Sequence, residues 1–500
     1  MALFALLPLV LFATLLVGVR WSAAQAGGVA ALLALVLAVA TFSYPMSVAA
    51  LAGPLLEATF TAATILWIIL PALAIYEWQE RTGQTRLIGR WLASVSPSPQ
   101  ITALLVGWFF ALFLEGAAGF GTPVALAAPL LVSLGFPPVR ALLCALIGHA
   151  AGVSFGAVGT PMMPLLHAAT VDPRTLSLLI LLLHGVLGWA LAAAVYRLAG
   201  TGEDRARHKA GWLAVPAAVL LFFVPAALFA AFAGPELPTL GGALVGAVLF
   251  VLLTRRGAAA PGAPADPVPV MTLLGAALPY VLILVLILAT RLLGPLRATL
   301  QGLEIGWTLT NAFSGSVAIL YHPGTMLALA LLLTAAVKRD GNAILGPALM
   351  AAARRLPPVA LALVTVLLMA RIMVHSGMID ALAEGAGSLL GAGWPLAVPL
   401  VGALGSFITG SATASNIVFA GFQTATAATT GLPVALALAG QSVGSAIGNI
   451  VAPHNIVAGA ATVGLIGREG EVMKRTLPLC LGYTLAGGVF VLLLALFAGS

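Results

Sequence analysis

Apolar residues fill long stretches of the chain, and polar residues come in short groups between them. The apolar runs are about 16 to 20 residues long, enough to span most or all of the roughly 30 Å hydrocarbon core of a bilayer. About 12 to 14 such segments recur, and each is predicted to be a transmembrane helix. Clear examples are Phe60 to Tyr76, Leu213 to Phe232, Leu273 to Thr290, Val359 to Val374 and Pro478 to Phe497.

Composition places the chain in the same class. Of its 500 residues, 61% are hydrophobic and 7% are charged, and the mean hydropathy is +1.12. Soluble domains carry about 25% charged residues, and no stretch of such composition exceeds about 20 residues here. The chain is therefore predicted to be an all-α polytopic membrane protein without a separate aqueous domain.

The net charge of +7 comes mostly from clusters of arginine and lysine between the apolar segments. Such clusters mark cytoplasmic loops, so the charge does not indicate a nucleic-acid partner. If Arg20 also faces the cytoplasm, two spans separate it from Arg81, and the N-terminus lies outside. The last span, after Arg475, places the C-terminus outside as well. Met1 to Val19 lacks the features of a signal peptide and is interpreted as a retained first helix.

A linker rich in Pro, Ala and Gly, residues 254–270, divides the chain into halves, 1–253 and 271–500. The halves contain a weak repeat, because Gly135 to Gly152 matches Gly431 to Gly448 at a constant spacing. We interpret them as N-terminal and C-terminal transmembrane repeats joined by an extended linker.

Each half carries helix-breaking residues at corresponding places. "EGAAGFGTP" precedes the matched segment in the first half and "TGSATASN" in the second; "GAVGTPMMP" and "GNIVAPHN" follow. Interrupted hydrophobic segments at equivalent places indicate the binding site of a secondary transporter. Gly119 and Gly121 would let the backbone approach a ligand closely, and Thr122 follows them. The alternative is that the small residues only permit tight helix packing.

Glu115 lies just before the first break. A carboxylate inside an apolar span costs several kcal/mol unless it is paired, hydrated or protonated. Glu115 is therefore predicted to carry the coupled proton. A structural ion pair that holds helices together is the alternative.

Arg371 has apolar neighbours on both sides, and an arginine at the centre of a span costs roughly 2.5 to 3.5 kcal/mol. Its planar fork of donors matches a carboxylate. Three roles are open: binding an anionic substrate, neutralising Glu115, or reaching an interface.

Hydroxyl and amide side chains concentrate at the second break. Together with Arg371 and the first break they are predicted to bind substrate, although a lone Ser or Thr usually bonds to its own helix. Two histidines, one in each half, are minor candidates for handling protons. The polar candidates are Thr409, Ser411, Thr413, Ser415, Asn416, Gln441 and Asn455, and the histidines are His149 and His454.

The sequence contains no Walker loop, nucleotide fingerprint, G-x-S-x-G, H-E-x-x-H or CxxC motif, which disfavours an ATP-driven pump. Cys144 and Cys480 lie in apolar spans at no metal-ligand spacing and are interpreted as core residues. No cofactor, metal or nucleic-acid partner is predicted. The expected partners are a small carboxylate, protons and membrane lipid, and the oligomeric state stays open, with a homodimer as one option.

The stretches "FLEGAAGFGTPVALAAPLLVSLGF", "MARIMVHSGM", "FITGSATASNIVFAGFQTAT" and "APHNIVAGAATVGLIGREGEVMKRTL" resemble the bacterial L-lactate permease family. The similarity runs in the expected order from about Thr59 to Thr476. It implies a proton symporter that imports L-lactate and related 2-hydroxymonocarboxylates, such as glycolate and D-lactate, across the inner membrane. It also implies two inverted repeats with broken or re-entrant helices, and an elevator mechanism is compatible with it.

Two departures from the family pattern affect the coupling ion. The family commonly has an acid in the second break, reading G-S-D-T-S-S-N, where this chain has Ala412. After the first break, N-T-A-P is replaced by a segment containing His149. A transporter of the same fold for another organic anion, or one coupled to Na⁺, is therefore the alternative. A membrane-embedded enzyme would need clustered acids or histidines, and the sequence has only scattered ones.

Overall fold

The computed structural model describes residues 1–19, 21–95, 98–119, 121–200, 212–254, 269–310, 312–338, 341–466 and 468–498. One π-helical turn, Thr14–Gly18, follows the first helix, and another, Leu104–Phe110, lies within the helical segment Pro99–Ala117. A 3₁₀ segment, Ala150–Phe155, follows the helix Pro138–Gly148. The helices of the N-terminal half are α1 Ala2–Ala13, α2 Ala23–Thr41, α3 Val48–Arg81, α4 Gln84–Ser94, α5 Pro99–Ala117, α6 Thr122–Ser133, α7 Pro138–Gly148, α8 Met162–Ala168, α9 Pro173–Ala199, α10 Ala214–Phe232 and α11 Pro238–Thr254.

The C-terminal half adds ten helices and one hairpin in its described part. The hairpin is antiparallel, with Glu304 opposite Ala318. In chain order the elements are α12 Val270–Leu292, α13 Gly294–Gln301, β1 Glu304–Thr310, β2 Phe313–Ala318, α14 Pro323–Val337, α15 Gly341–His375, α16 Met378–Leu390, α17 Trp394–Thr409, α18 Ala412–Thr430, α19 Val434–Gly448, α20 Pro453–Thr462 and α21 Glu469–Ala498.

Within the described residues, nine helical segments are long and apolar enough to cross a membrane. A tenth is added if Pro138–Gly148 and Ala150–Gly159, bent by 40°, count as one span. The predicted helical, polytopic class is confirmed. Full-length spans are fewer than the segments counted from the sequence, because several apolar stretches fold as shorter helices such as Thr122–Ser133 and Val434–Gly448.

The β1–β2 hairpin departs from the all-α prediction. Its strands contain the aromatic and β-branched residues that favour extended backbone. Trp307 packs edge-on against Phe60 of α3, with ring centroids 6.2 Å apart. Phe313 lies against Gly53 of the same helix, where a larger residue would overlap its ring. The hairpin is thus anchored to one end of α3.

The helices pack into two bundles. One, the long-helix bundle, is formed mainly by α1–α3 and α12–α15; the other, the broken-helix bundle, is formed mainly by α5–α11 and α17–α21. Helix α16 packs on α1 and on α18, and α4 packs on α3, α5 and α12, so these two helices touch both bundles. Each bundle contains segments from both halves of the sequence. The division into repeat halves 1–253 and 271–500 stays a prediction, and most of the linker, 255–268, lies outside the described residues.

Glycines matched in the sequence repeat occupy equivalent places. Gly148 of α7 lies against the backbone of Gly107 in α5, and a side chain there would overlap the Gly107 carbonyl oxygen. Gly444 of α19 meets the carbonyl oxygen of Pro399 in α17 in the same way. The close approach of two helix backbones at each position explains why glycine is required in both halves.

Candidate functional site

The first helix break lies between α5 and α6. Gly119 and Gly121 have φ angles of 59° and 79°, the left-handed region that glycine adopts without steric cost. The Thr122 hydroxyl donates a hydrogen bond to the Gly119 carbonyl at 2.8 Å. Both glycines line a cavity, whereas Thr122 stabilises the turn and does not line it.

The second break lies between α17 and α18. Gly410 ends α17 with a φ of 64°, and the Ser411 hydroxyl caps α18 by accepting a hydrogen bond from the Ala414 N–H at 3.3 Å. The Thr409 hydroxyl accepts one from the Ser411 N–H, also at 3.3 Å. Thr409, Ser411 and Thr413 line the same cavity as the first break. Among the described residues the Thr413 hydroxyl has no hydrogen-bond partner, so it is available to a ligand.

Two further interruptions reach this cavity. After the 3₁₀ segment, Ala157 and Val158 have φ angles of 42° and 52°, a conformation that costs a non-glycine residue about 1–2 kcal/mol. After α19, the Asn455 side-chain amide donates to the Asn449 carbonyl at 3.2 Å. Ala157, Asn449 and Asn455 all line the cavity. Strained backbone of this kind concentrates at functional sites.

The cavity has a volume of about 590 Å³ and lies between the two bundles, a size typical of small-molecule sites. Its wall on the long-helix bundle is apolar except for Ser22 and includes Phe12, Ile69, Leu363 and Val366. The polar side chains of the opposite wall, on the broken-helix bundle, are Glu115, His149, Thr160, Thr409, Ser411, Thr413, Asn449 and Asn455.

Glu115 and His149 are the ionisable residues of the described polar wall. Glu115 is 5% exposed, and no described residue gives its carboxyl a hydrogen bond or ion pair. A side chain at Gly156 would overlap its Oε1. The His149 ring donates from Nδ1 to the Ala145 carbonyl at 2.7 Å. Because a carbonyl only accepts, a neutral His149 ring has an acceptor at Nε2.

Three residues predicted to bind substrate lie behind the cavity wall. Ser415, Asn416 and Gln441 are fully buried and do not line the cavity. The Gln441 amide donates to the Ser415 hydroxyl at 3.2 Å, and the Asn416 amide donates to the Pro161 carbonyl at 2.9 Å. They hold the start of α18 against neighbouring segments of both sequence halves. The structure thus places them behind the wall, and their direct contact with substrate stays a prediction.

Arg371 does not line this cavity. Its Nε lies 3.6 Å from Oε2 of Glu57 on α3, and the same oxygen lies 2.9 Å from Nε2 of His375. The pairing of Arg371 with Glu115 is therefore not formed. Arg371 instead lines a second cavity of about 340 Å³.

Sequence reasoning missed four residues of these sites. Glu57 is an acid inside an apolar run, the same signal that singled out Glu115, and His375 follows Arg371 by one helical turn. Asn449 lies in "GNIVAPHN", and Thr160 in "GAVGTPMMP". All four could have been proposed from those patterns.

The remaining candidates give no ligand site. The side chain of His454 lies outside the described residues. Cys144 and Cys480 are buried and unpaired with each other. In the part of the chain that the structure describes, no group of three His, Cys, Asp or Glu side chains converges as metal ligands would.

Comparison with a solved transporter concerns the fold alone. The crystal structure of the YdaH transporter of Alcanivorax borkumensis superposes with a TM-score of 0.54 at 16% identity, over 96% of this chain and 99% of that chain. Apolar spans, interrupted helices and a cavity with one polar wall are the features of a multi-pass membrane protein with the architecture of a secondary transporter.

Sequence comparison is more specific. The L-lactate permease family matches residues 1–498, and this chain belongs to that family. The L-lactate permease of Escherichia coli is 30% identical over 509 residues, covering 92% of this chain and 90% of the relative. The glycolate permease GlcA of the same species is 28% identical over 547 residues, covering 99% and 95%. The putative L-lactate permease of Haemophilus influenzae is 27% identical over 481 residues, 89% of each chain.

Proposed function

We propose that this protein is a secondary active transporter that imports L-lactate and related 2-hydroxymonocarboxylates, including glycolate and D-lactate, by proton symport across the bacterial inner membrane. The observation that carries the proposal is the single cavity where helix breaks from both halves of the sequence meet. The names of the family relatives, lactate and glycolate permeases, support the substrate class.

The polar wall offers groups for both ends of a hydroxy acid. The first N–H groups of a helix have no partner within it and favour an anion. Ala412 and Thr413 supply such groups at the start of α18, beside the hydroxyls of Ser411 and Thr413, and these would hold the carboxylate. Asn455 and Asn449, also on the cavity wall, would hold the substrate hydroxyl. Gly119 and Gly121 let the backbone of the opposite break come close.

Glu115 is the proposed proton carrier. A charged Glu115 and a carboxylate substrate in one cavity would repel each other, and a proton on Glu115 removes the repulsion. Substrate and proton would therefore occupy the cavity together. His149, whose Nε2 is an acceptor when the ring is neutral, is proposed to assist. His454 keeps the same role as a prediction from its position in the sequence.

The basic residues at one end of the long-helix bundle support a proposed orientation in the membrane. Arg355 pairs with Glu77 at 2.7 Å, and Lys338 lines a small cavity with Gln79 and Thr82 at the same end. The positive-inside rule would place this end in the cytoplasm. Both termini are then proposed to lie on the periplasmic side.

Uptake of labelled L-lactate into proteoliposomes, with and without an imposed proton gradient, tests the proposal. Accumulation that requires the gradient, and competition by glycolate and D-lactate, are expected. Accumulation driven by a Na⁺ gradient would favour the Na⁺-coupled alternative, and inhibition by dicarboxylates alone would favour another organic anion. Conversion of lactate to a product would indicate an enzyme, and no uptake under any gradient would reject the transporter.

A further inference from the structure

The second cavity lies next to the first one along the interface between the two bundles. On α15 the first cavity is lined up to Val366, and the second begins at Leu367 and includes Arg371. On α18, Ile417 lines both cavities, and Thr424 lines the second. The two cavities therefore follow one another along the same interface between the bundles, and Ile417 is their boundary.

The second cavity lies towards the outer side of the protein. Arg355 of α15, which pairs with Glu77 near the C-terminal end of α3, is separated from Arg371 by about 24 Å at 1.5 Å per residue. The proposed orientation puts Arg355 at the cytoplasmic end. An anion entering from outside would therefore meet Arg371 before it reaches the first cavity.

Glu57 is shared between two basic side chains. Arg371 contacts its Oε2 through Nε at 3.6 Å, and the Arg371 side chain is 26% exposed. His375 contacts the same oxygen at 2.9 Å and is 21% exposed. No described residue accepts a hydrogen bond from the two terminal NH₂ groups of Arg371. That edge of the guanidinium matches a carboxylate with two parallel hydrogen bonds.

The hairpin holds His375 in place. The Phe313 ring lies 4.6 Å from the His375 ring, centroid to centroid, and Phe313 is itself packed against Gly53 of α3. Packing from one side and Glu57 on the other leave His375 little freedom. The packing of the hairpin therefore fixes the distance between His375 and Glu57.

Few other ionisable groups face this cluster. Asp380 on α16 and His167 on α8 line the second cavity. Tyr44 lies near Glu57, and its hydroxyl donates to the Ala50 carbonyl at 2.8 Å. Helix α18, on the opposite side, contains no ionisable residue. Arg371 and His375 are the described basic side chains that contact Glu57 itself.

An incoming monocarboxylate changes that balance. Arg371 alone would have to compensate its partner Glu57 and the anion, in a cavity that Asp380 also lines, and like charges in a partly buried site are costly. A proton on His375 supplies the second positive charge, at hydrogen-bond distance from Glu57. Binding of one anion should therefore be accompanied by uptake of one proton from solution.

We propose that Arg371, Glu57 and His375 form an outer binding station for a monocarboxylate, separate from the first cavity. The anion takes the terminal N–H groups of Arg371, and His375 takes up one proton and keeps Glu57 paired. The inference rests on the proposed function, since the anion is the transported hydroxymonocarboxylate and the outer position of the station follows from the proposed orientation.

A thiol placed in the second cavity reports on occupancy of this station, and the Glu115→Gln control tests for an effect of the adjoining first cavity. We suggest Thr424→Cys, with Ala425→Cys as a second reporter, because both positions line the second cavity and both native cysteines are buried. The measurement is the L-lactate concentration that half-protects the thiol from a small impermeant reagent, in proteoliposomes, between about pH 6 and about pH 8. That concentration should rise with pH by up to about tenfold per unit, the limit for one linked proton.

Three further variants distinguish coupling from a structural role. Adding Glu57→Gln to the cysteine reporter removes the competing carboxylate, so protection should become independent of pH. At high pH it should be stronger than in the reporter that retains Glu57. Adding His375→Gln should leave protection weak at every pH. The double variant should behave as Glu57→Gln alone, because His375 then has no charge to compensate. A structural role would instead weaken protection in both single variants and add their effects in the double variant.

Two controls complete the design. Glu77→Gln breaks another ion pair between the same helices, α3 and α15, and should keep the pH dependence. Glu115→Gln should also keep the pH dependence of protection. If Glu115→Gln lost that pH dependence while Glu57→Gln retained it, the proton would be assigned to the first cavity and the proposed station would be overturned. Normal lactate uptake without any protection would also overturn it. Absence of lactate uptake by the unaltered protein would instead reject the proposed function.

Discussion

The two walls of the first cavity have opposite characters. The broken-helix bundle contributes eight polar side chains and the helix breaks, whereas the long-helix bundle contributes apolar residues and Ser22. Interrupted backbone is tolerated at membrane depth only where protein or a water-filled cavity satisfies it. The difference indicates that the broken-helix bundle supplies the groups that bind substrate, and that the long-helix bundle closes the cavity with an apolar surface.

The polar wall is also supported from behind. Ser415, Asn416 and Gln441 connect α18 to its neighbours through buried hydrogen bonds. The described lining residues of the apolar wall include one polar side chain, that of Ser22. Changes to the polar wall should therefore have large effects, and changes to the apolar wall small ones.

Glu115→Gln should cause the largest loss. The amide mimics a permanently protonated carboxyl, so accumulation driven by a pH gradient should be abolished, while exchange of lactate across the membrane continues. Both activities should be measured on one purified preparation. Full gradient-driven accumulation by the variant would show that the polar wall does not carry the proton.

Gly156→Ala should reduce uptake by about 10- to 100-fold, because the added methyl would displace the Glu115 carboxyl and small misplacements are costly. A side chain at Gly156 would overlap Glu115 Oε1. Gly185→Ala is the matched control, since nothing lies within 4 Å of a side chain there. Equal uptake by the two variants would contradict the tight contact at Glu115.

Ser411→Ala and Thr413→Val should each raise the KM for L-lactate by about tenfold, the effect of losing one hydrogen bond to a charged group. Cysteines at these positions should also be protected by lactate. The kinetic measurement is initial uptake over a range of lactate concentrations. An unchanged KM in both variants would remove these hydroxyls from the binding site.

Asn416→Ala should act mainly on stability. It leaves the buried Pro161 carbonyl without its partner at 2.9 Å, at a cost of about 1–3 kcal/mol in the free energy of unfolding. Thermal unfolding in detergent would measure this, and the KM of the remaining folded protein should change only a few-fold. A large KM increase at unchanged stability would restore Asn416 to direct substrate contact.

Leu361→Ala should have the smallest effect. Leu361 lines the apolar wall and is 58% exposed, and substitutions of such residues usually change energies by less than about 0.5 kcal/mol. The KM for L-lactate should stay within about twofold. A loss as large as that of Thr413→Val would mean that the two walls contribute equally to binding.

The class of protein and the helix breaks could be predicted from the sequence because they depend on local properties. Long apolar runs require helices in a bilayer, and Gly119, Gly121 and Gly410 mark turns where positive φ is needed. The breaks were therefore placed correctly, and Glu115, Thr409, Ser411, Thr413 and Asn455 do line the cavity at those breaks. Family membership likewise followed from motifs visible in the chain.

Partners and wall assignments needed the tertiary structure. Arg371 contacts Glu57, more than 300 positions earlier in the chain, and nothing local distinguishes that partner from Glu115. On α18, Thr413 lines the cavity, whereas Ser415 and Asn416 face other helices and are fully buried, although all three lie in one polar stretch. Helical periodicity separates such residues into faces, but only packing decides which face meets the cavity and which meets another helix.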